Sequence, residues 1–129
     1  MEAVEFLELA DVLAIHIDQT ARYGGDNSIR DLQLLESALA QPRAGSGDRY
    51  FHSFPFGMAA AYLFHIVKNH PFADGNKRTA AVAALVFLDW NGVEISAEPG
   101  ELAEMTLDVV AGNLDKSGVA SWFENHQMN

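Results

Sequence analysis

The sequence predicts an all-α protein, a compact bundle of about six helices forming a single domain over residues 1–129. Three observations carry that reading. Apolar residues recur at three- and four-residue spacing along most of the chain. Glycine, proline or an Asn-Gly pair punctuates the periodic stretches. Strand-like alternation is confined to residues 93–96, and residues 42–53 are rich enough in turn formers to read as a loop or short hairpin.

Taken in order, residues 6–22 carry Phe6, Leu9, Ala10, Leu13, Ile17 and Ala21 on one helical face, and Gly24-Gly25 ends the run. A second helix is expected over residues 31–41, with Asp31 as N-cap, a stripe of Leu32, Leu35 and Leu39, and Pro42 as its stop. The third is expected from Pro55 to Asn69, proline being suited to a first helical position. Its run Met58-Ala-Ala-Ala-Tyr-Leu-Phe64 is apolar nearly all round, so this helix should be central. The fourth is expected from Asn76 to Trp90, alanine-rich and therefore able to pack closely, with Asn91-Gly92 ending it. Val93-Glu-Ile-Ser96 could form a short strand. Two last helices are expected over 99–112 and 117–126, with Pro99 and Ser117 near their starts.

Composition narrows the function. The chain has no cysteine, which excludes disulfides and thiolate metal sites and fits a reducing cytoplasm. No apolar run reaches the roughly 18 residues a membrane span needs. The first residues are acidic where a signal peptide would be basic, so a cytoplasmic location away from membranes is expected. Net charge is −10, with 18 acidic against 8 basic residues, a poor balance for direct nucleic-acid binding. Yet Lys68, Lys77 and Arg78 lie within eleven positions, which favours a local anion site.

Two of those cations belong to His70-Pro-Phe-Ala-Asp-Gly-Asn-Lys-Arg78, and Lys68 precedes it, where the third helix gives way to the fourth. A turn feeding a helix N-terminus offers free backbone N–H groups and the positive end of the dipole to an anion. Lys77 and Arg78 oppose that dipole unless a polyphosphate is bound, so their placement argues for a ligand. Arginine can clamp phosphate bidentately, and lysine acts as a point charge. Asp74 can hold Mg²⁺, which needs only one or two protein carboxylates beside substrate phosphates, or it can cap the fourth helix. Gly75 lets the main chain approach phosphate, and Asn76 either bonds a phosphate oxygen or braces the loop. Phe72 is read as the inward anchor of the turn. An imidazole can be neutral at physiological pH, so His70 is the candidate general base for an attacking hydroxyl; its alternative is a cap on the preceding helix. His16 and His65 are read as structural, His52 as a loop residue and His126 as solvated. Arg30 and Asp31 are read as a pair or a cap.

The segment His70-x-Phe72-x-Asp74-Gly75-Asn76-x-Arg78 resembles the signature of Fic proteins, and most closely that of their death-on-curing (Doc) branch, where lysine stands at the position of Lys77. Arg22-Tyr-Gly-Gly25, Ile29-Arg-Asp31, Leu34-Leu-Glu-Ser-Ala38, Asn69-His70, Phe87-Leu88 and Asn91-Gly92 resemble the same branch in the same order. The resemblance implies the Fic fold, two central helices joined by the active-site loop. It also implies ATP and Mg²⁺, with His70 catalytic, Asp74 at the metal, and Gly75, Asn76, Lys77 and Arg78 at the phosphates.

Two positions depart from the wider pattern His-Pro-Phe-x-x-Gly-Asn-Gly-Arg-x-x-Arg of Fic adenylyl transferases: Lys77 replaces a glycine and Ala81 an arginine. Both changes weaken the pocket for a leaving pyrophosphate. They point to ATP bound with its γ-phosphate nearest His70, the outcome the Doc resemblance implies: a kinase modifying a threonine of elongation factor Tu and halting translation. Adenylyl transfer to a protein hydroxyl, and a non-catalytic nucleotide- or partner-binding module, are the alternatives. The inhibitory segment of Fic proteins, Ser/Thr-x-x-x-Glu-Gly/Asn, is not matched, since Ser121-Trp-Phe-Glu-Asn125 is one residue short. The resemblance therefore implies control in trans by an antitoxin protein.

Overall fold

The computed structural model describes residues 3–98 and 100–128. Among them are six helices and one two-stranded hairpin: α1 (Leu9–Tyr23), α2 (Leu32–Ala40), β1 (Gly45–Ser46), β2 (Arg49–Tyr50), α3 (Phe56–Asn69), α4 (Asn76–Trp90), α5 (Glu101–Ala111) and α6 (Lys116–Asn125). The all-α expectation holds. The turn-rich segment is a hairpin, with Gly45 opposite Tyr50 and Ser46 opposite Arg49.

α3 is the hub, packed by α4, α6, α2 and α5. Met58, Ala59, Ala60, Ala61, Tyr62, Leu63 and Ile66 are all fully buried, which is why this helix is apolar all round. Ala80, Ala83 and Ala84 of α4 are equally buried and let the α3 and α4 backbones approach closely. Phe87 and Phe123 fill the space where α4 and α6 meet that hub. Tyr62 keeps one polar task, accepting from the Leu7 N–H at 2.9 Å. Burial of its phenol pushes its pKa up to about 12.

The ends of the helices follow local chemistry. α1 starts at Leu9 rather than near residue 6, because the Asp11 carboxylate accepts from the Glu8 N–H at 2.8 Å and fixes the first turn there. It ends at Gly24, whose φ of 84° directs its N–H to Thr20 O at 2.8 Å. Asp31 caps α2, accepting from the Leu34 N–H at 3.0 Å. Pro99, expected near the start of the fifth helix, lies outside the described residues; α5 begins at Glu101 after Gly100. α6 is capped two residues before Ser117, by Asp115, whose carboxylate accepts from the Gly118 N–H at 2.8 Å.

The short strand expected over residues 93–96 is instead an isolated antiparallel bridge, Ile95 to Gln127. Ser96 N–H donates to His126 O and Met128 N–H to Glu94 O, both at 2.8 Å. Among the described residues the partner here is the segment after α6, which pairs at this one bridge.

Candidate active site

The α3–α4 turn is built from three supports. The first is internal. Phe72 is fully buried, and the Asn76 side chain closes the turn around its backbone. Asn76 Oδ1 accepts from Phe72 N–H and Asn76 Nδ2 donates to Phe72 O, both at 3.0 Å. Of the two roles considered for Asn76, its side chain performs the bracing one. What it can still offer an anion is its backbone N–H.

The second support comes from α1. The His16 ring stacks on Phe72 with centroids 3.7 Å apart and an interplanar angle of 11°. Its Nε2 lies 2.7 Å from Asp74 O. A carbonyl can only accept, so Nε2 carries the proton. His16 is 1% exposed and is structural, as its helical setting indicates, yet it shapes the site directly.

The third support is the segment between α1 and α2. Arg30 and Asp31 N–H both donate to Pro71 O, at 2.8 and 2.9 Å, and Ala73 N–H donates to Ser28 O at 3.0 Å. Ile29 and Phe72 form the antiparallel bridge between these strand-like pieces. Gly25, at φ 114°, passes so close that an added Cβ would stand 2.7 Å from Asp74 Oδ2. Its φ requires glycine, and a side chain there would also displace the Asp74 carboxylate.

On this frame the α4 N-terminus is open. Gly75 adopts the left-handed conformation (φ 78°, ψ 16°) as N-cap, with no side chain capping the helix. Its carbonyl accepts the first helical bond, from Thr79 N–H at 3.0 Å. The N–H groups of Asn76, Lys77 and Arg78 have no acceptor among the described residues. Asp74 does not cap them, since its Oδ1 accepts only from the adjacent Gly75 N–H, at 2.9 Å.

Lys77 and Arg78 are exposed, and no described carboxylate pairs with either. Arg78 rests its guanidinium 4.8 Å over the Tyr23 ring. His70, Asp74, Gly75, Asn76, Lys77 and Arg78 all border one cleft of about 910 Å³. The structure thus brings all six expected site residues together. Ala81 lines the same cleft, and the opposite wall is formed by α5.

His70 stands out by its backbone. At φ 49° and ψ 56° it is the only described non-glycine residue with positive φ. Such a conformation in a residue with a Cβ is uncommon and is retained at sites that use it. Its N–H closes α3 on Ile66 O at 3.1 Å, so it also ends the helix, as the alternative reading had it. Cap and candidate base are compatible, because the cap uses the backbone and the ring remains exposed in the cleft.

The other histidines lie elsewhere. His65 takes a hydrogen bond from Lys116 Nζ at 3.0 Å. Burial, reinforced by the charges of Lys116 and His52, lowers its pKa to about 4. His52 has a buried Nδ1 without a hydrogen-bond partner among the described residues and is outside the cleft. His126, expected in solvent, is instead stacked on Trp122 at 3.8 Å, with Nδ1 2.7 Å from Trp122 O. Lys68, the third of the clustered cations, is exposed, borders the same cleft and donates to Val109 O at 3.3 Å.

Sequence reasoning missed the direct parts His16, Arg30 and Tyr23 play around the turn. His16, Thr20 and Tyr23 share a face of α1, and that spacing was a usable signal; the Arg30 contacts span about forty residues and had none.

The model of the Fic/DOC family matches residues 6–88. The chain is similar to Toxin Doc of Mycolicibacterium smegmatis, 38% identical over 94 residues, which cover 73% of this chain and 70% of that protein. It is also similar to Protein kinase doc of Escherichia phage P1, 34% identical over 110 residues, covering 85% and 86% of the two chains.

Proposed function

The chain belongs to the Fic/DOC family, and from that premise we propose that it is a Doc-like toxin transferring the γ-phosphate of ATP to a serine or threonine hydroxyl of a translation factor. The observation that carries this reading is the α4 N-terminus. Three free N–H groups, two unpaired cations, an imidazole and a carboxylate border one cleft. The names of the two relatives, a toxin and a protein kinase, support the same reaction class. Elongation factor Tu is the target the Doc resemblance implies, and the cytoplasm is where it would be met. No helix among the described residues is long and apolar enough to cross a membrane.

The chemistry asks little covalent work of the protein, because phosphoryl transfer depends on positioning and charge neutralisation. His70 accepts the proton of the target hydroxyl as its oxygen bonds to the γ-phosphorus. The bond from that phosphorus to the bridging oxygen breaks, and its electron pair leaves with ADP. Lys77, Arg78 and the α4 N–H groups hold the phosphate oxygens and offset the charge that shifts during transfer. Asp74 would hold Mg²⁺. It is exposed in the cleft, its Oδ2 has no hydrogen-bond partner among the described residues, and no described group of three metal-ligating side chains competes with it. That matches the Mg²⁺ habit of one carboxylate plus phosphate and water. When bound, the metal supplies further charge neutralisation at the phosphates. Control falls to an antitoxin in trans.

The test is ATP labelled at the innermost or the outermost phosphate, incubated with the protein and elongation factor Tu. Outermost label on the target, with ADP as product, is expected. Innermost label with pyrophosphate released would establish adenylyl transfer instead. No transfer of either label, with ATP bound, would favour a non-catalytic module.

A further inference from the structure

The left-handed conformation of His70 requires something to hold it. The local sequence gives only part of the answer, since histidine tolerates this region better than most residues with a Cβ but far less readily than glycine. The geometry points to Arg30 as the positioning residue that holds the His70 backbone in this conformation and so aims the imidazole into the cleft. Its guanidinium donates from Nε to His70 O at 2.7 Å and from Nη2 to Asn69 O at 3.0 Å. Two donors in a rigid fork thus grip the two carbonyls that flank the change of backbone direction.

The grip is itself anchored. Arg30 N–H is bonded to Pro71 O at 2.8 Å, so the arginine backbone is fixed to the residue after His70 while its side chain returns to His70 and the residue before it. Asn69 is tied separately, its Nδ2 donating to Leu34 O at 2.9 Å. Carbonyls 69 and 70 belong to the last turn of α3, where a cation is also favoured by the helix dipole. Arg30 forms no ion pair among the described residues, so its charge is committed to these carbonyls. It therefore acts through His70 without touching substrate.

The inference rests on the reading of His70 as base, and its test separates the two. The three-bond coupling between the amide and α protons of residue 70, with its Cα chemical shift, reports the sign of φ whether or not transfer occurs. Wild type should give the positive-φ signature, and Arg30→Ala should move residue 70 toward ordinary negative φ. With ATP and a phosphorylatable target, Arg30→Ala should lower kcat by about ten- to hundredfold, the usual cost of misplacing a reacting group, with KM for ATP within about twofold. Arg30→Lys, which keeps the charge but not the fork, should recover part of the loss. Should Arg30→Ala not fold, Arg30→Lys and Arg30→Gln carry the same comparison.

A plain helix-cap role predicts otherwise: equal stability loss from Arg30→Ala in wild type and in His70→Gly. The positioning role predicts a smaller loss in His70→Gly, because glycine enters the left-handed region unaided. Unchanged φ at residue 70, unchanged kcat, or an effect confined to KM would overturn the proposal. A wild type that transfers no label would defeat the functional reading alone, leaving the φ and stability comparisons to decide the role of Arg30.

Discussion

Lys77→Ala separates a ligand-binding helix terminus from a merely structural one, because the two roles give stability changes of opposite sign. In the free protein Lys77 sits in the first turn of α4 with no carboxylate partner among the described residues. A cation there opposes the helix dipole by about 0.3–1 kcal/mol, screened by solvent at an exposed position. Alanine is also the better helix former, by a few tenths of a kcal/mol at most. Removing the charge should therefore stabilise the free protein by about 0.5 kcal/mol. For a domain of this size that is an upward shift of about 2 °C in Tm. Arg78→Ala differs, because Arg78 also stacks on Tyr23 at 4.8 Å. Losing an exposed cation–π contact of about 0.5–1 kcal/mol offsets the relief, so its Tm should barely move.

With ATP and Mg²⁺ the signs reverse. Each cation then faces phosphate, and each variant should gain less Tm from nucleotide than wild type does. Transfer to the target should fall in both variants by at least tenfold, the cost of about 1.4 kcal/mol of lost transition-state stabilisation. The assay is thermal unfolding with and without nucleotide, beside transfer of outermost-phosphate label. Two variants that melt several degrees lower without nucleotide and still transfer at the wild-type rate would refute the reasoning and make both residues structural.

The remaining expectations concern three side chains. His70→Ala should abolish transfer and toxicity, by about 10²–10⁴ in rate, while ATP binding and fold persist; a folded variant that still arrests growth as wild type does would remove His70 from the mechanism. Asn76→Asp keeps an acceptor for Phe72 N–H but sets a carboxylate oxygen against Phe72 O, and should cost roughly 1–3 kcal/mol; stability equal to wild type by chemical denaturation would contradict the bracing role. His65 has its folded pKa lowered to about 4 from an ordinary value of about 6.5, so the unfolded chain binds more protons between those pH values. Its contribution is whole above about pH 6.5 and lost as pH falls toward 4. Allowing for partial solvent access, that amounts to about 1–2 kcal/mol. His65→Gln keeps an acceptor for Lys116 and should flatten that acid slope; an unchanged slope in denaturation midpoints from pH 7 to 4.5 would assign the acid loss to other groups.

The sequence was legible wherever the controlling interactions are local. α4 runs from Asn76 to Trp90 as its alanine-rich pattern and Asn-Gly stop indicated. Asp31 caps α2 as its position before Leu32 indicated. Where a distant partner decides, the pattern was silent or misleading. Residues 93–96 alternate like a strand, but a strand needs a neighbour, and among the described residues the pairing is a single bridge from Ile95 to Gln127. His126 was read as solvated because it lies near the terminus, yet Trp122, one turn earlier, offers a ring to stack on. At the site the same division holds. The motif carries the chemical groups within nine residues, whereas their geometry is imposed by His16 from α1 and by the strap at 28–31. Spacing along the chain cannot reveal a guanidinium that reaches back across forty residues.

That division bears on which phosphate is attacked. Lys77 and Ala81 are four residues apart on α4, so they occupy the same face, one turn apart. At Lys77 the face carries a charge beside the open N–H groups; one turn further it presents a methyl group, Ala81, only 7% exposed. Across the cleft α5 contributes Leu107 and Val110, both about half exposed and apolar. Two of the three cations that border the cleft therefore stand at the α4 N-terminus, beside the turn that carries His70, the third being Lys68 of α3, and the cleft becomes apolar along α4 away from that terminus. A triphosphate whose outer end lies at His70 places its greatest negative charge where the N–H groups and cations are, and leaves its nucleoside to the apolar walls. Adenylyl transfer requires the innermost phosphate at His70 and the pyrophosphate held beyond it. In this cleft that arrangement lacks an arginine at position 81 and sets charged oxygens beside the apolar side chains of Ala81, Leu107 and Val110. The polarity along one helix face thus favours phosphoryl transfer for the same reason that the two departures from the wider motif do.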